Sequence, residues 1–120
     1  MTLKIKITLA DRVETALDNF DERVERDSPE YPTYAALHEK ARHGRSITLT
    51  TPDELRVVYD ELVSGVDVCD EALGGYAEGW EEEREYTLER ANLKRSADRL
   101  ARVMVDADIP FNDAERDEHG

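Results

Sequence analysis

Two apolar stripes in the second half of the chain predict a pair of long helices. In the first, apolar residues recur at spacings of 4, 3, 4, 3 and 4, the period of one helix face, at Leu55, Tyr59, Leu62, Val66, Cys69 and Leu73. The second repeats every seven residues, with two further members between the repeats: Tyr86, Leu93, Ala97, Leu100, Met104 and Ala107. We expect helices over 52–73 and 80–107, joined by the glycine-rich segment 74–79 into an antiparallel hairpin.

The tetrapeptide Thr51-Pro52-Asp53-Glu54 is a strong start signal for the first of these helices. Threonine suits the N-cap, proline suits the first helical position, and Glu54 lies where a capping box places its carboxylate. Because the apolar stripe continues past Gly65, we expect one helix that can bend at this glycine.

The first half of the chain predicts two short strands and two short helices. Residues 3–9 alternate apolar and polar side chains, as a half-buried strand does, and 46–50 are the second strand. Asp11, with Glu14 as capping-box partner, begins a helix that ends before Ser28-Pro29. Thr33 caps a second helix over 34–43. The apolar positions of the first helix are Val13, Leu17, Phe20 and Val24.

These elements predict an α+β fold that is mostly helical: two short strands, two short N-terminal helices and a long C-terminal antiparallel helical hairpin. We assign residues 1–111 to a single α+β domain and 112–120 to an acidic, frayed C-terminal tail. Two short strands are only marginally stable by themselves, and a helix of about 40 Å is long for such a domain. Both points favour a homodimer, joined by the long helix or by strand pairing. The predicted oligomer interface is Tyr86, Leu93, Ala97, Leu100 and Met104.

The charge balance indicates the salt environment in which the protein works. The chain has 29 acidic and 16 basic residues and a net charge of −13, and it is poor in lysine. At about 1 M salt the screening length falls to about 3 Å, so repulsion among carboxylates costs little. We expect a halophilic protein from a salt-rich cytoplasm, and the alternative is an ordinary acidic protein. No apolar run approaches the ~20 residues of a membrane span, and no signal peptide is evident, which favours a cytoplasmic location.

Sequence motifs give little support for catalysis or metal binding. His38 and His43 are five residues apart, so on a helix their rings point to different faces. The single cysteine, Cys69, lies on an apolar stripe and is expected to be buried. The chain shows no nucleophile-elbow or phosphate-loop pattern. We therefore expect no catalytic residue, no cofactor and no metal site.

Basic residues gather in three segments, 1–9, 37–50 with Lys40, Arg42 and Arg45, and 90–105. Lys4 and Lys6, with Thr8, lie on one face of the first strand, and Arg95, Arg99 and Arg102 lie opposite the apolar stripe of the long helix. Pairing with acids or protection of a strand edge explains such residues structurally. The functional interpretation is a contact surface for nucleic acid or an acidic protein.

The lysine-bearing strand followed by a helix resembles the start of ribbon-helix-helix DNA-binding regulators. The resemblance covers residues 3–43, and it implies that Lys4, Lys6 and Thr8 approach DNA from a strand paired between two chains. The proline-containing link 28–33 replaces the tight turn of that family. Our leading hypothesis is a small non-catalytic protein that acts as a homo-oligomeric protein-interaction module. The alternative is a nucleic-acid-binding transcriptional regulator.

Overall fold

A computed structural model describes residues 4–44, 46–75 and 81–110 of the chain. The elements in chain order are β1 (Ile5–Thr8), α1 (Asp11–Asp18), α2 (Phe20–Arg23), α3 (Tyr31–Ala41), β2 (Ser46–Leu49), α4 (Pro52–Gly75) and α5 (Glu81–Asp106). The predicted fold class is confirmed: a mostly helical α+β chain with two strands and a long C-terminal pair of helices. The predicted tail, 112–120, lies outside the described residues.

The two strands pair with each other inside one chain. They are antiparallel, with Ile5 opposite Leu49 and Ile7 opposite Ile47. Ile7, Ile47 and Leu49 are buried, whereas Lys6 and Thr8 are exposed. The alternation predicted from the sequence therefore holds. One edge of β1 is occupied by β2 of the same chain, so that edge is closed to a second copy.

Helix α5 packs along α4 as the predicted hairpin. The two apolar stripes meet in a core to which all the described elements contribute buried side chains. At the start of α4 the predicted capping box forms: the Glu54 N–H donates to Thr51 Oγ1 at 3.1 Å, and the Thr51 N–H donates to Glu54 Oε1 at 3.3 Å. Helix α4 is continuous through Gly65 and extends to Gly75, two residues beyond the predicted end.

The first half differs from the prediction in the bounds and caps of its helices: α2 already ends at Arg23 and α3 at Ala41. The expected single helix is divided at Asn19 into α1 and α2. The N-cap of α1 is Ala10, without a side-chain cap, so the predicted capping role of Asp11 is wrong: Asp11 is already helical, where a carboxylate still complements the helix dipole. Helix α3 begins at Tyr31 because Pro32 fits its first turn, and Thr33 is therefore inside the helix.

Candidate functional site

The predicted oligomer interface lies inside the monomer. Leu93, Leu100 and Met104 are fully buried, Ala97 retains 6% of its exposure, and Tyr86 packs against the same core half-buried. These side chains hold α5 against α4, so a second chain reaches them only if the hairpin opens. Periodicity identified an apolar contact, and within the single chain these side chains make that contact with the core.

The long helix and the two short strands, which favoured a homodimer, both find support within one chain. Helix α5, at 26 residues about 39 Å long, runs beside the 24 residues of α4 in a molecule whose longest dimension is 47 Å. The inward side of α5 is therefore covered. The small sheet is supported by the helical core through Ile7, Leu9, Ile47 and Leu49.

Six lysines and arginines of the described chain are held by carboxylates. Arg12 donates to Glu89 at 2.6 Å, and Lys40 Nζ lies 2.8 Å from Glu54. The remaining pairs are Arg23–Glu61, Arg42–Glu39, Arg56–Asp53 and Arg90–Asp70. These pairs explain why the basic residues are retained: they join α1 to α5, α2 to α4, α3 to α4 and α4 to α5, or they lie along one helix.

The arginines predicted as a contact surface are different. Arg95, Arg99 and Arg102 are exposed on the outward side of α5, and none makes an ion pair or hydrogen bond within the described residues. Lys6 and Thr8 are exposed on β1, and Lys4 is exposed just before this strand. The structure thus keeps the two predicted groups exposed and places them on separate elements.

The arginines belong to a longer pattern along the exposed side of α5. Eight exposed residues recur at spacings of 4, 3, 4, 3, 4, 3 and 4. We call this set the outer stripe: Glu81, Glu85, Leu88, Asn92, Arg95, Arg99, Arg102 and Asp106. The same spacing brings residues of two coiled helices together along a seam. Leu88, with 67% of its side chain exposed, is its apolar member.

Charge is segregated along the outer stripe. At its start, Glu85, Leu88 and Asn92 border a groove of about 450 Å³ that is also lined by Ala10, the N-cap of α1, and by Asp11. At its end, the three arginines border a second groove of about 430 Å³, together with Asp98, Val103 and Asp106. One end of the stripe is therefore acidic and the other is mainly basic.

Sequence reasoning found the basic end and missed the acidic end. The helix dipole favours acids at any helix start, so the glutamates that open α5 do not by themselves indicate a contact surface. The 4-3 spacing of exposed residues was the signal that could have joined both ends into one stripe.

The buried charged groups have structural roles. Glu54 is 4% exposed and accepts hydrogen bonds from Lys40 Nζ and the Thr50 N–H, both at 2.8 Å. Burial acts to raise the pKa of Glu54, but these hydrogen bonds outweigh it and leave the pKa below its ordinary value. Cys69 is fully buried, as predicted, and burial raises the pKa of its thiol.

The histidines do not converge. His38 Nε2 lies 3.4 Å from Asp18, and His43 Nε2 lies 3.7 Å from Glu39. The described ranges contain no group of three or more histidine, cysteine or acidic side chains arranged to hold a metal ion.

No protein-family model, curated protein or solved structure matches this chain. None of the helices in the described ranges is both long and apolar enough to span a membrane.

Proposed function

We propose that this chain is a non-catalytic protein-interaction module that docks through the outer stripe of α5. The observation that carries the proposal is the state of Arg95, Arg99 and Arg102. In a chain with a net charge of −13, these three arginines lie together without a carboxylate partner among the described residues. Acids are abundant enough to pair them, so their exposure supports a role outside the monomer.

The chemistry around the arginines favours a protein partner. Asp98 and Asp106 border the same groove, and Val103 adds an apolar wall. Phosphates would be repelled by these carboxylates, whereas a helix of mixed charge can pair with both signs. Arginine is also enriched in protein interfaces, where its stem packs and its guanidinium forms several hydrogen bonds. The partner expected from this surface is a helix that carries both acidic and basic side chains on one face.

The salt-rich habitat remains part of the proposal. Screening at about 1 M salt suppresses repulsion beyond about 3 Å, while groups in direct contact still interact. A strongly acidic module can therefore approach an acidic protein in such a cytoplasm, and short-range complementarity selects the partner.

Nucleic-acid binding is the second candidate, and the same unpaired arginines favour it. It would also use Lys6 and Thr8 on β1 and Lys4 just before this strand. The ribbon-helix-helix comparison needs strands paired between chains, whereas β1 here pairs with β2 of its own chain. Phosphate contacts also weaken by about 0.9 log units per contact for each tenfold rise in salt.

A photo-crosslinking amino acid at Arg99 separates the two candidates. The matched control is the same substitution at Arg42, which is the exposed C-cap of α3 and is paired with Glu39. We expect protein adducts from position 99 and not from position 42 in cells at their working salt. Nucleic-acid adducts from position 99 would establish the second candidate. Equal or absent protein adducts at the two positions would contradict docking through α5.

A further inference from the structure

We propose that the partner of the outer stripe is a second copy of this chain, with the two α5 helices packed antiparallel about a two-fold axis. The inference rests on the proposed function, because it needs the outer stripe to be a docking surface. It relocates the predicted homodimer from the buried side of α5 to the exposed side.

Charge segregation selects the antiparallel direction. In a parallel pair, Glu81 and Glu85 would lie against the same glutamates, and Arg95 and Arg99 against the same arginines. In an antiparallel pair, the acidic start of each stripe meets the basic end of the other. A two-fold axis makes this favourable contact twice.

One register satisfies most of the charges. Glu81 then lies opposite Arg99 of the partner subunit, and Glu85 opposite Arg95 of the partner subunit; both pairs are centred on residue 90. Leu88 meets Asn92 of the partner subunit between them. All these side chains are exposed in the single chain, and the charged ones make no ion pair within its described part.

Three residues beside the outer stripe agree with the same register. These flank residues, spaced seven apart on one side of α5, are Arg84, Ala91 and Asp98. A two-fold axis beside residue 91 places Arg84 against Asp98 of the partner subunit. The small side chain of Ala91 meets its own copy at the axis, where two helices approach most closely. Stripe and flank thus independently place the axis next to residues 90 and 91.

The grooves provide a further match. The acidic groove is bordered by Asp11, Glu85 and Glu89, and the basic groove by Arg95, Arg99 and Arg102 together with Asp98 and Asp106. Both lie along α5, toward opposite ends of the stripe. The antiparallel arrangement brings arginines of each copy toward the acidic groove of the other.

Salt makes this self-association possible. Two copies with a net charge of −13 repel each other over about 10 Å at 0.1 M salt and over only about 3 Å at 1 M. Close ion pairs persist at the shorter range. We therefore expect dimerisation to strengthen between these salt concentrations, opposite to the trend for phosphate binding.

A charge-swap experiment tests the arrangement. One variant carries Arg95→Glu and Arg99→Glu, and the other carries Glu81→Arg and Glu85→Arg. Each variant alone opposes like charges across the two-fold axis, so we expect self-association in 1 M KCl to weaken by roughly 100-fold. An equimolar mixture restores opposite charges in every pair and should form a heterodimer. Sedimentation equilibrium gives the mass, and circular dichroism confirms that these exposed substitutions leave the fold intact.

The outcomes are distinct. A wild-type chain that remains monomeric, variants that dimerise as well as wild type, or a mixture that does not associate would each overturn the proposed pair. Crosslinks from position 99 to a different protein would keep the proposed function and reject the second copy. Crosslinks from position 99 to a second copy of this chain, together with the charge-swap pattern above, would support both the proposed function and the proposed pair.

Discussion

A Cβ atom added at Gly65 would lie only 3.0 Å from Cδ1 of Leu93. Leu93 is fully buried on α5 and Gly65 is buried on α4, so this is a point of close approach within the hairpin. The Arg12 side chain of α1 lies on the same spot, with Cδ 3.3 Å from that added atom. The glycine therefore allows three helices to meet. The packing of the core at this point depends on the absence of a Cβ atom at residue 65.

Gly65→Ala should destabilise the fold although alanine is the better helix former. The propensity gain is about 1 kcal/mol, and overpacking a filled core costs about 1–3 kcal/mol. We expect a net loss of about 1 kcal/mol in the free energy of unfolding, measured by urea denaturation. The matched control is Gly74→Ala in the same helix, where no atom lies within 4 Å of the added Cβ. This control should be neutral or stabilising; a stabilising Gly65→Ala would contradict the packing described.

Leu100→Ala should destabilise the monomer rather than separate a dimer. Leu100 is fully buried, and removing such a leucine costs about 3 kcal/mol because a cavity remains. Leu88→Ala is the matched control on α5, since Leu88 is 67% exposed and should change monomer stability by less than about 0.5 kcal/mol. Thermal unfolding of both variants under dilute, monomeric conditions tests this. Equal stabilities would show that Leu100 is not in the core of one chain.

Glu54→Gln should destabilise the protein in a pH-dependent way. The pKa of Glu54 is lowered in the fold from its ordinary value of 4.5. Its charged form therefore contributes stability above pH 4.5, and this contribution is lost as the pH falls through the lower, folded pKa. We expect a cost of about 2 kcal/mol at pH 7. The difference from wild type should shrink on acidification below pH 4.5.

The control for this prediction is Glu39→Gln. Glu39 pairs with Arg42 at the surface and is 62% exposed, so its loss should cost less than about 0.5 kcal/mol. A cost for Glu54→Gln that is constant with pH would contradict the contribution of its charge.

Local chemistry in the sequence predicts local structure well in this protein. The capping box at Thr51 and Glu54 and the two apolar stripes are set by neighbouring residues, and they appear as expected except at the ends of the stripes, where Leu73 and Ala107 are not part of the core. The break at Asn19 does not follow from such patterns. Just after the break, Phe20 is buried in the core, where its ring lies 5.9 Å from that of Tyr34 on another helix, a contact that local sequence patterns do not show.

At the candidate site, sequence periodicity does not identify what packs against an apolar face. Periodicity shows that Leu93 and Leu100 are buried, but it cannot tell whether α4 or a second chain covers them. Glu85, Arg95 and Arg99 are exposed and regularly spaced. This spacing indicates a docking surface only when the opposite side of α5 is known to be covered by α4.

The most direct test of the docking claim is crosslinking at the proposed two-fold axis. Ala91→Cys places an exposed thiol where the two α5 helices meet, and Ser64→Cys, exposed on α4, is the control. The native Cys69 is fully buried and should stay unreactive. With a short bis-thiol crosslinker in 1 M KCl, we predict covalent dimers from Ala91→Cys and not from Ser64→Cys. Equal yields from the two variants, or no dimer from Ala91→Cys, would contradict antiparallel pairing through the outer stripe.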